Sequence, residues 1–396
     1  MKSLCAFIAL AAAVSALPTA VPPLVINDVP GLSFQYEQQE GYDLDLQSLR
    51  LVQMEDKPPV WMTELEKIEA KAQGIKFFDI TETQDLGSKA HLRPMTKAFP
   101  VLKSNKEVKS VLKNLSTTGP KENLQKFTSF RTRYYRSDTG RQSQQWLSSK
   151  ILETTAEFAP KGLQDLITLT EFAHSWGQNS VIVRINGSNP TDDGIVVIGA
   201  HQDSTNMWPF LPAPGADDDG SGSVTILEAY RALIASDFHP IENVEFHWYS
   251  AEEGGLLGSQ AVAQDYETHQ ANVIAMSQFD MTAWVKKGSR EEVGIITDFV
   301  DDSVTGLNKM LVDEYLDIPY TETKCGYACS DHASWTKAGY PSSFTIESSF
   351  ENSNKNIHST NDRIDISPEF SFEHMLEFSK LAVAFAIELA GWTKSD

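Results

Sequence analysis

Six short stretches of this sequence carry side chains that bind cations or move protons. "VVIGAHQDS" ends an apolar run in His201 and Asp203, and "PGADDDGSG" holds Asp217, Asp218 and Asp219 in a row. "YSAEEGG" carries Glu252 and Glu253, "SQFDMT" Asp280, "CGYAC" Tyr327, and "NIHSTND" His358. Adjacent carboxylates repel one another, and burying one without a partner is expensive. A solvated turn accounts for Asp beside Gly, and cation binding accounts for the density of acids. Each stretch alone is weak. Their shared placement carries weight, because a hydrophobic run that ends repeatedly in His, Glu or Asp has no packing reason to do so. His201, Asp218, Glu253, Asp280 and His358 form a mixed imidazole–carboxylate set without thiolates, which suits a catalytic zinc site.

Charge counting sharpens this. Three carboxylates and two neutral imidazoles sum to −3. One divalent ion leaves the set negative, whereas two ions and a hydroxide bring it to neutrality. Two such ions would share a carboxylate, about 3.5–4 Å apart. Glu252, beside ligand Glu253, is placed to be a general base for water. Asp203 is placed to orient the His201 imidazole. "DGSGS" around Ser221 looks like a serine nucleophile turn, but Ser221 opens a helix after an acidic loop with no strand before it.

The elements that must position these residues alternate. Short β-branched runs at "SVIVRI", "GIVVIGA", "NVEFHWYS", "VIAMSQF", "EVGIITD" and "SSFTIES" read as strands. Helical segments fall at "NKEVKSVLKNL", "KENLQKFTSF", "SQQWLSSKILETTAEFA", "SGSVTILEAYRALIAS", "LLGSQAVAQDYETH", "VTGLNKMLVDEYL" and within "EHMLEFSKLAVAFAIELAG". This order predicts an α/β fold with helices on both faces of a sheet. Ligands of such sheets bind at the carboxyl ends of the strands, where the candidate residues lie. Gly220 and Gly222 are expected to let the backbone turn from Asp218 into the helix.

The whole chain sets bounds. Its 396 residues, 41% hydrophobic and 22% charged, suit one large domain plus an appendage. The net charge of −21 argues against nucleic-acid binding. "MKSLCAFIALAAAVSALPTA" reads as a secretory signal over residues 1–20, and no later segment is apolar and long enough to span a bilayer, so a secreted protein is expected. Residues 21–90 differ in composition, with "VPPL", "VPGL" and "KPPV", many acidic residues and one clear helix, "TELEKIEAKAQG", capped by Thr63 and stopped by Gly74. They read as a propeptide, an inhibitor or folding aid, with residues 91–396 as the catalytic domain. Cys325 and Cys329 suggest a disulfide in an exported chain, or half of a zinc–thiolate site. Asn114 and Asn186 begin glycosylation sequons.

Taken in order, "VVIGAHQDS", "PGADDDGSGSVTILE", "YSAEEGGLLGSQ", "FDMT", "CGYACSDHASWTKAGYP" and "IHSTND" resemble the secreted leucyl aminopeptidases of bacteria and fungi, which are co-catalytic dizinc peptidases. The match runs from about residue 96 to 390. It implies a mixed, largely parallel central sheet and two zinc ions per subunit. Asp218 would bridge them, His201 and Asp280 would complete one site, and Glu253 and His358 the other. Glu252 would be the general base and then the general acid, with Asp203 and Asp219 as orienting residues. Tyr327 would donate to the tetrahedral intermediate, and Cys325 would be bonded to Cys329 to hold its loop. Met281, Ile296, Ile346, Phe350 and Ile357 would wall an apolar pocket for the first side chain of a peptide with a free N-terminus. Position 346 is Ile where the bacterial pattern has an aromatic residue. The layout of signal, acidic propeptide and mature domain looks like the fungal branch, and a monomer is expected.

Overall fold

The computed structural model describes residues 40–54, 57–93, 99, 102, 105–189 and 194–393. The expected signal at 1–20 and the first part of the expected propeptide lie outside them. The strands are β1 (Leu49–Gln53), β2 (Val60–Thr63), β3 (Phe78–Asp79), β4 (Ile167–Phe172), β5 (Ser180–Ile185), β6 (Ile195–His201), β7 (Asn243–Tyr249), β8 (Val273–Phe279), β9 (Val293–Ile296), β10 (Tyr320–Thr323) and β11 (Ser342–Ile346). The helices are α1 (Glu64–Ala72), α2 (Lys106–Leu112), α3 (Thr118–Phe127), α4 (Asp138–Phe158), α5 (Lys161–Gln164), α6 (Gly220–Ala235), α7 (Leu257–His269), α8 (Asp302–Tyr315), α9 (His332–Lys337) and α10 (Phe372–Ala390).

Eight strands form a mixed, largely parallel sheet in the order β10-β9-β11-β8-β6-β7-β5-β4. The four central strands β11, β8, β6 and β7 run parallel, so their carboxyl ends share one rim. From β6 the chain moves to β7 on one side and then to β8 on the other. β6 is therefore the switch point, where ligands of open α/β sheets bind.

Packing explains why β6 reads as an unbroken apolar run. Val196, Ile198 and Ala200 join the core with α6 and α10, while Ile195 and Val197 join the one with α7 and α9. Successive side chains point to opposite faces, and both faces are covered. Helix α6 lies among the sheet, α3, α4 and α10. Fourteen of its sixteen residues are buried, which is why it is apolar nearly all round.

The six expected strands and seven expected helices of residues 105–391 are present. Two more strands, β4 and β10, close the sheet edges. Both are partly exposed and polar, as edge strands are, so they carry no apolar run. In the N-terminal part the expected helix is α1. Thr63 and Glu66 form a reciprocal capping box, and Gly74 follows the helix end with φ +77°. The antiparallel sheet β2-β1-β3 around it was not legible.

Residues 40–93 belong to the same compact unit as the rest of the described chain. The Asp79 N–H donates to Gly255 O at 3.0 Å, and Gln260 Nε2 donates to Asp79 O at 3.0 Å. The Glu267 carboxylate accepts from the backbone of Gly87 and Lys89 at 2.8 and 2.6 Å. Inside the segment, Asp79 Oδ2 is 2.7 Å from Arg50 Nε and 2.9 Å from Lys67 Nζ, and Glu64 is 2.9 Å from the same Lys67 Nζ. All four side chains are buried. Among the described residues no helix is long and apolar enough to cross a membrane.

Candidate metal centre

The rim gathers all five expected ligands. His201 ends β6, Glu252 and Glu253 turn away from β7, Asp280 follows β8, His358 stands beyond β11, and Asp218 comes from the loop before α6. Asp218 is the meeting point. Its Oδ1 is 3.2 Å from His201 Nε2, and its Oδ2 is 2.9 Å from His358 Nε2. Asp280 Oδ1 is 3.6 Å from His201 Nε2, and Glu253 Oε2 is 3.1 Å from His358 Nε2. Two groups result, His201–Asp218–Asp280 and Asp218–Glu253–His358, each with its ligand atoms within 4.8 Å of one another.

The chemistry of these groups fits a divalent cation. Both ring nitrogens of His201, Asp280 Oδ1 and Glu253 Oε1 are buried without a hydrogen-bond partner among the described residues. Buried polar atoms are nearly always satisfied, so converging unsatisfied imidazole and carboxylate atoms call for an ion. A donor set without thiolate fits zinc in a catalytic setting. Charge crowding appears in the acidities as well. Burial pushes the Glu252 carboxyl well above its ordinary value, and Glu253 and Asp331 add to this against the opposing pull of His201. Burial works the same way on Asp218, but the imidazoles of His201 and His358 outweigh it and hold that carboxyl far below the usual range.

A framework of backbone amides aims the ligands. Asp203 Oδ1 lies 3.5 Å from His201 Nδ1, too long for a good hydrogen bond. Its two oxygens instead accept the N–H groups of Glu252 and Glu253 at 3.0 and 3.3 Å. Asp219 caps α6 through Gly222 N and also accepts from the backbones of His201 and Met281, at 3.0 and 3.1 Å. Asp217, without an assignable role in the sequence, accepts from Ala283 N, Ser221 Oγ and Asn354 Nδ2. Ser221 is fully buried in these contacts, which removes the serine-nucleophile reading. Gly220 and Gly222 are not in the left-handed region. They are required by close approach, since a Cβ would stand 2.5 Å from Gly215 O at one and 2.3 Å from Phe279 O at the other. Three non-glycine residues of the rim, Ala251, Met281 and His358, do take left-handed φ of 57°, 59° and 52°. Such strain clusters at functional sites.

Several contributors carried no readable signal. Asp362 accepts the N–H groups of both Asp217 and Asp218, at 2.9 and 3.0 Å. Arg133 is fully buried behind the acidic loop and donates to the carbonyls of Gln202, Pro214 and Gly215. Ser330 donates to Asp280 Oδ2 at 2.6 Å. Glu347 accepts from Trp284 N and Asn354 N, tying the His358 loop to the β8 end. All act through backbone groups or a hydroxyl, so even Asp362 and Ser330, which fall inside the quoted motifs, show no sign of these roles in the sequence.

Beside the ligands lies a cavity of about 290 Å³. Met281, Ile346, Phe350 and Ile357 line it together with Phe344 and Tyr327. Ile296 is fully buried and backs this wall without reaching the cavity. Phe344, two residues before Ile346 on the same strand face, supplies the aromatic surface absent at position 346. Cys325 and Cys329 are disulfide-bonded, with Cα atoms 6.2 Å apart. Asp298 accepts from Cys325 N and Gly326 N, fixing the loop that carries Tyr327. Asn114 and Asn186 lie away from the site, and Asn114 is exposed.

The N-terminal segment reaches the same cavity through Lys71, Ile75, Lys76 and Phe77. Lys71 Nζ donates to the Glu253 carboxylate and, at 2.7 Å, to the Glu253 carbonyl. Lys76 Nζ sits 4.5 Å from the centroid of the Tyr327 ring.

Known proteins resemble this chain in sequence and fold. Residues 180–382 match the model of peptidase family M28. The chain is 50% identical over 342 residues to leucine aminopeptidase 1 of Neurospora crassa, covering 83% of each chain. It is 45% identical over 403 residues to leucine aminopeptidase 1 of Coccidioides posadasii, covering 98% of this chain and 99% of that one. Among solved structures, the LapA aminopeptidase of Legionella pneumophila superposes with a TM-score of 0.76 at 29% identity, over 87% of this chain and 99% of that one. LapB of the same organism gives 0.74 at 26% identity, over 86% and 95%. With half the chain matched by the family model and relatives this similar over most of its length, the chain belongs to peptidase family M28.

Proposed function

We propose that this chain is a secreted aminopeptidase that removes leucine and other apolar residues from the free N-termini of peptides, using two zinc ions and a glutamate base. One observation carries the reading: Asp218 is shared by two three-residue ligand groups, with Glu252 next in sequence to a ligand and beside an apolar cavity. When bound, the ions supply Lewis acidity and acidification of water. His201, Asp218 and Asp280 would hold one ion, and Asp218, Glu253 and His358 the other. Glu252 takes the proton of the attacking water and returns it to the leaving amine. The Tyr327 hydroxyl donates to the developing oxyanion. Phe344, Ile346, Met281, Phe350 and Ile357 receive the first side chain and exclude water from it.

Residues 1–20 serve as the signal and 21–90 as a propeptide, whose stretch from Lys71 to Phe77 obstructs the cavity until it is removed. Residues 91–396 act as a monomer outside the cell, with glycans on Asn114 and Asn186. The test is a panel of aminoacyl-anilides with free and blocked N-termini, with and without chelator and restored zinc. Leucyl-anilide should be turned over fastest, the blocked analogue not at all, and chelation should abolish turnover. Turnover of blocked substrates or indifference to chelator would overturn the reading.

A further inference from the structure

Resting on the aminopeptidase reading, we infer that Lys71 occupies the place where the α-amino group of a peptide substrate is received, so that the intact chain is blocked by a primary amine of its own. Lys71 stands in the last turn of α1, and its Nζ bonds both the carboxylate and the carbonyl of Glu253, a residue of the shared ligand cluster. An ammonium group is a donor only, with three N–H bonds to place. It is also the one side-chain group with the chemistry of a peptide N-terminus. The surrounding segment holds this placement rigidly. Lys67 Nζ donates to Gly254 O at 3.3 Å, and Asp79 N to Gly255 O at 3.0 Å, so the turn after Glu253 is gripped on both sides of Lys71.

The segment meets the polar end of the site through Lys71; its Ile75 and Phe77 also line the cavity, but it adds no side chain to the apolar cluster at the other end. Met281, Ile296, Phe344 and Ile346 pack with Val300, Cys325, Cys329, Phe350 and Ile357, and none of these comes from residues 40–93. A plug that imitated the substrate side chain would enter this cluster. Lys76 offers a second cation in the same cavity, but it lies on the face of the Tyr327 ring and not on a ligand. The two lysines therefore separate amine recognition from simple filling with positive charge.

The experiment uses the intact, metal-loaded chain, with its length verified by mass, and compares wild type, Lys71→Met, Lys71→Gln and Lys76→Met. Melting curves confirm folding, and either Lys71 variant suffices. Without any processing, the Lys71 variant should hydrolyse leucyl-anilide about tenfold or more faster than wild type, whereas Lys76→Met should stay near wild type. Calorimetry with L-leucinol, a primary amine without a scissile bond, should show binding to the Lys71 variant and to processed wild type but not to intact wild type. If processed wild type is active and the intact Lys71 variants neither turn over substrate nor bind leucinol, the inference is overturned. Equal release by Lys76→Met overturns it too, in favour of charge filling. If processed wild type lacks aminopeptidase activity, the functional reading fails, and leucinol binding still decides whether Lys71 holds an amine site.

Discussion

Two clusters of buried charge lie within this molecule and differ in one respect. In the N-terminal segment, Arg50 and Lys67 face Glu64 and Asp79, so two cations meet two anions and each finds its partner inside the segment. At the rim, Asp218, Glu252, Glu253 and Asp280 face two imidazoles. Both sets hold buried atoms without a hydrogen-bond partner among the described residues, Arg50 Nη2 and Glu64 Oε2 in one, Glu253 Oε1 and Asp280 Oδ1 in the other, so charge balance is what separates them. Arg133 stands nearby, but its donors are spent on carbonyls. A charge set that closes on itself is scaffolding. One that stays open awaits cations from outside, whether metal ions or the lysine that the segment extends to Glu253.

The contrast can be tested, beginning where the effect is largest. Glu252→Gln should lower leucyl-anilide turnover by about 10²–10⁴-fold while zinc content by elemental analysis stays unchanged. In chelator-treated protein the same change should leave the melting temperature unchanged or higher, because it removes one of four crowded carboxylates. Turnover near that of wild type would strip Glu252 of its role as base. Asp79→Asn should do the opposite, destabilising the segment by about 3–5 kcal/mol, since it leaves two buried cations to share the one carboxylate of Glu64. Thermal melts and limited proteolysis of the intact chain read this, and a loss below about 1 kcal/mol would mean the cluster is not buried as described.

Asp218→Asn should reduce bound zinc below two equivalents. Full occupancy would refute a shared ligand. The smallest effect concerns pH. Burial works against the Asp79 charge, but Lys67 and Arg50 hold its carboxyl below the ordinary range. Its contribution is thus complete above the unfolded value of about 3.9 and lost as pH falls through the lower folded one. Lys67 is raised despite its burial, by the anionic groups around it. Its contribution is complete below about pH 10.4 and lost only as pH rises beyond the higher folded value. Hydrogen exchange in β1 should accordingly change little with pH between about 5 and 9 once intrinsic rates are removed. A marked loss of protection near neutrality would show that other groups govern docking.

Much of the centre was legible, for a physical reason. Strands buried on both faces must be apolar throughout, so His201, Glu253 and Asp280 stand out where such a strand ends. The acidic loop announces itself by repulsion. What escaped either acts through the main chain or sits at an edge. Arg133 binds backbone groups of the 214–218 stretch from a remote position with nothing in its neighbours to mark it, and Asp362, although it closes the "NIHSTND" stretch, gives no sign that its partners are the amides of Asp217 and Asp218. β4 and β10 carry polar residues because one side of each meets solvent. Lys71 reads as one more solvated residue of an amphipathic helix, since the group it meets lies 182 positions along the chain. Phe344 carries no mark in the sequence because the resemblance directs attention to position 346, where this chain has Ile, although residues two apart on a strand share a face.

The Asp203 carboxylate, which holds the amides of Glu252 and Glu253 together, couples two functions to one sheet register. Asp203 follows β6 and the two glutamates follow β7, and these strands pair in parallel with His201 opposite Tyr249. Glu252 and Glu253, the proposed base and ligand, therefore move as one body whose position is set by how β6 and β7 align. A core substitution between them, far from any ion, would be felt as a simultaneous loss of metal affinity and proton transfer. A surface change of the same size on the Glu252 side alone would not. Selection acting on the spacing of the chemistry would then appear in the sequence as constraint on the apolar residues of two neighbouring strands.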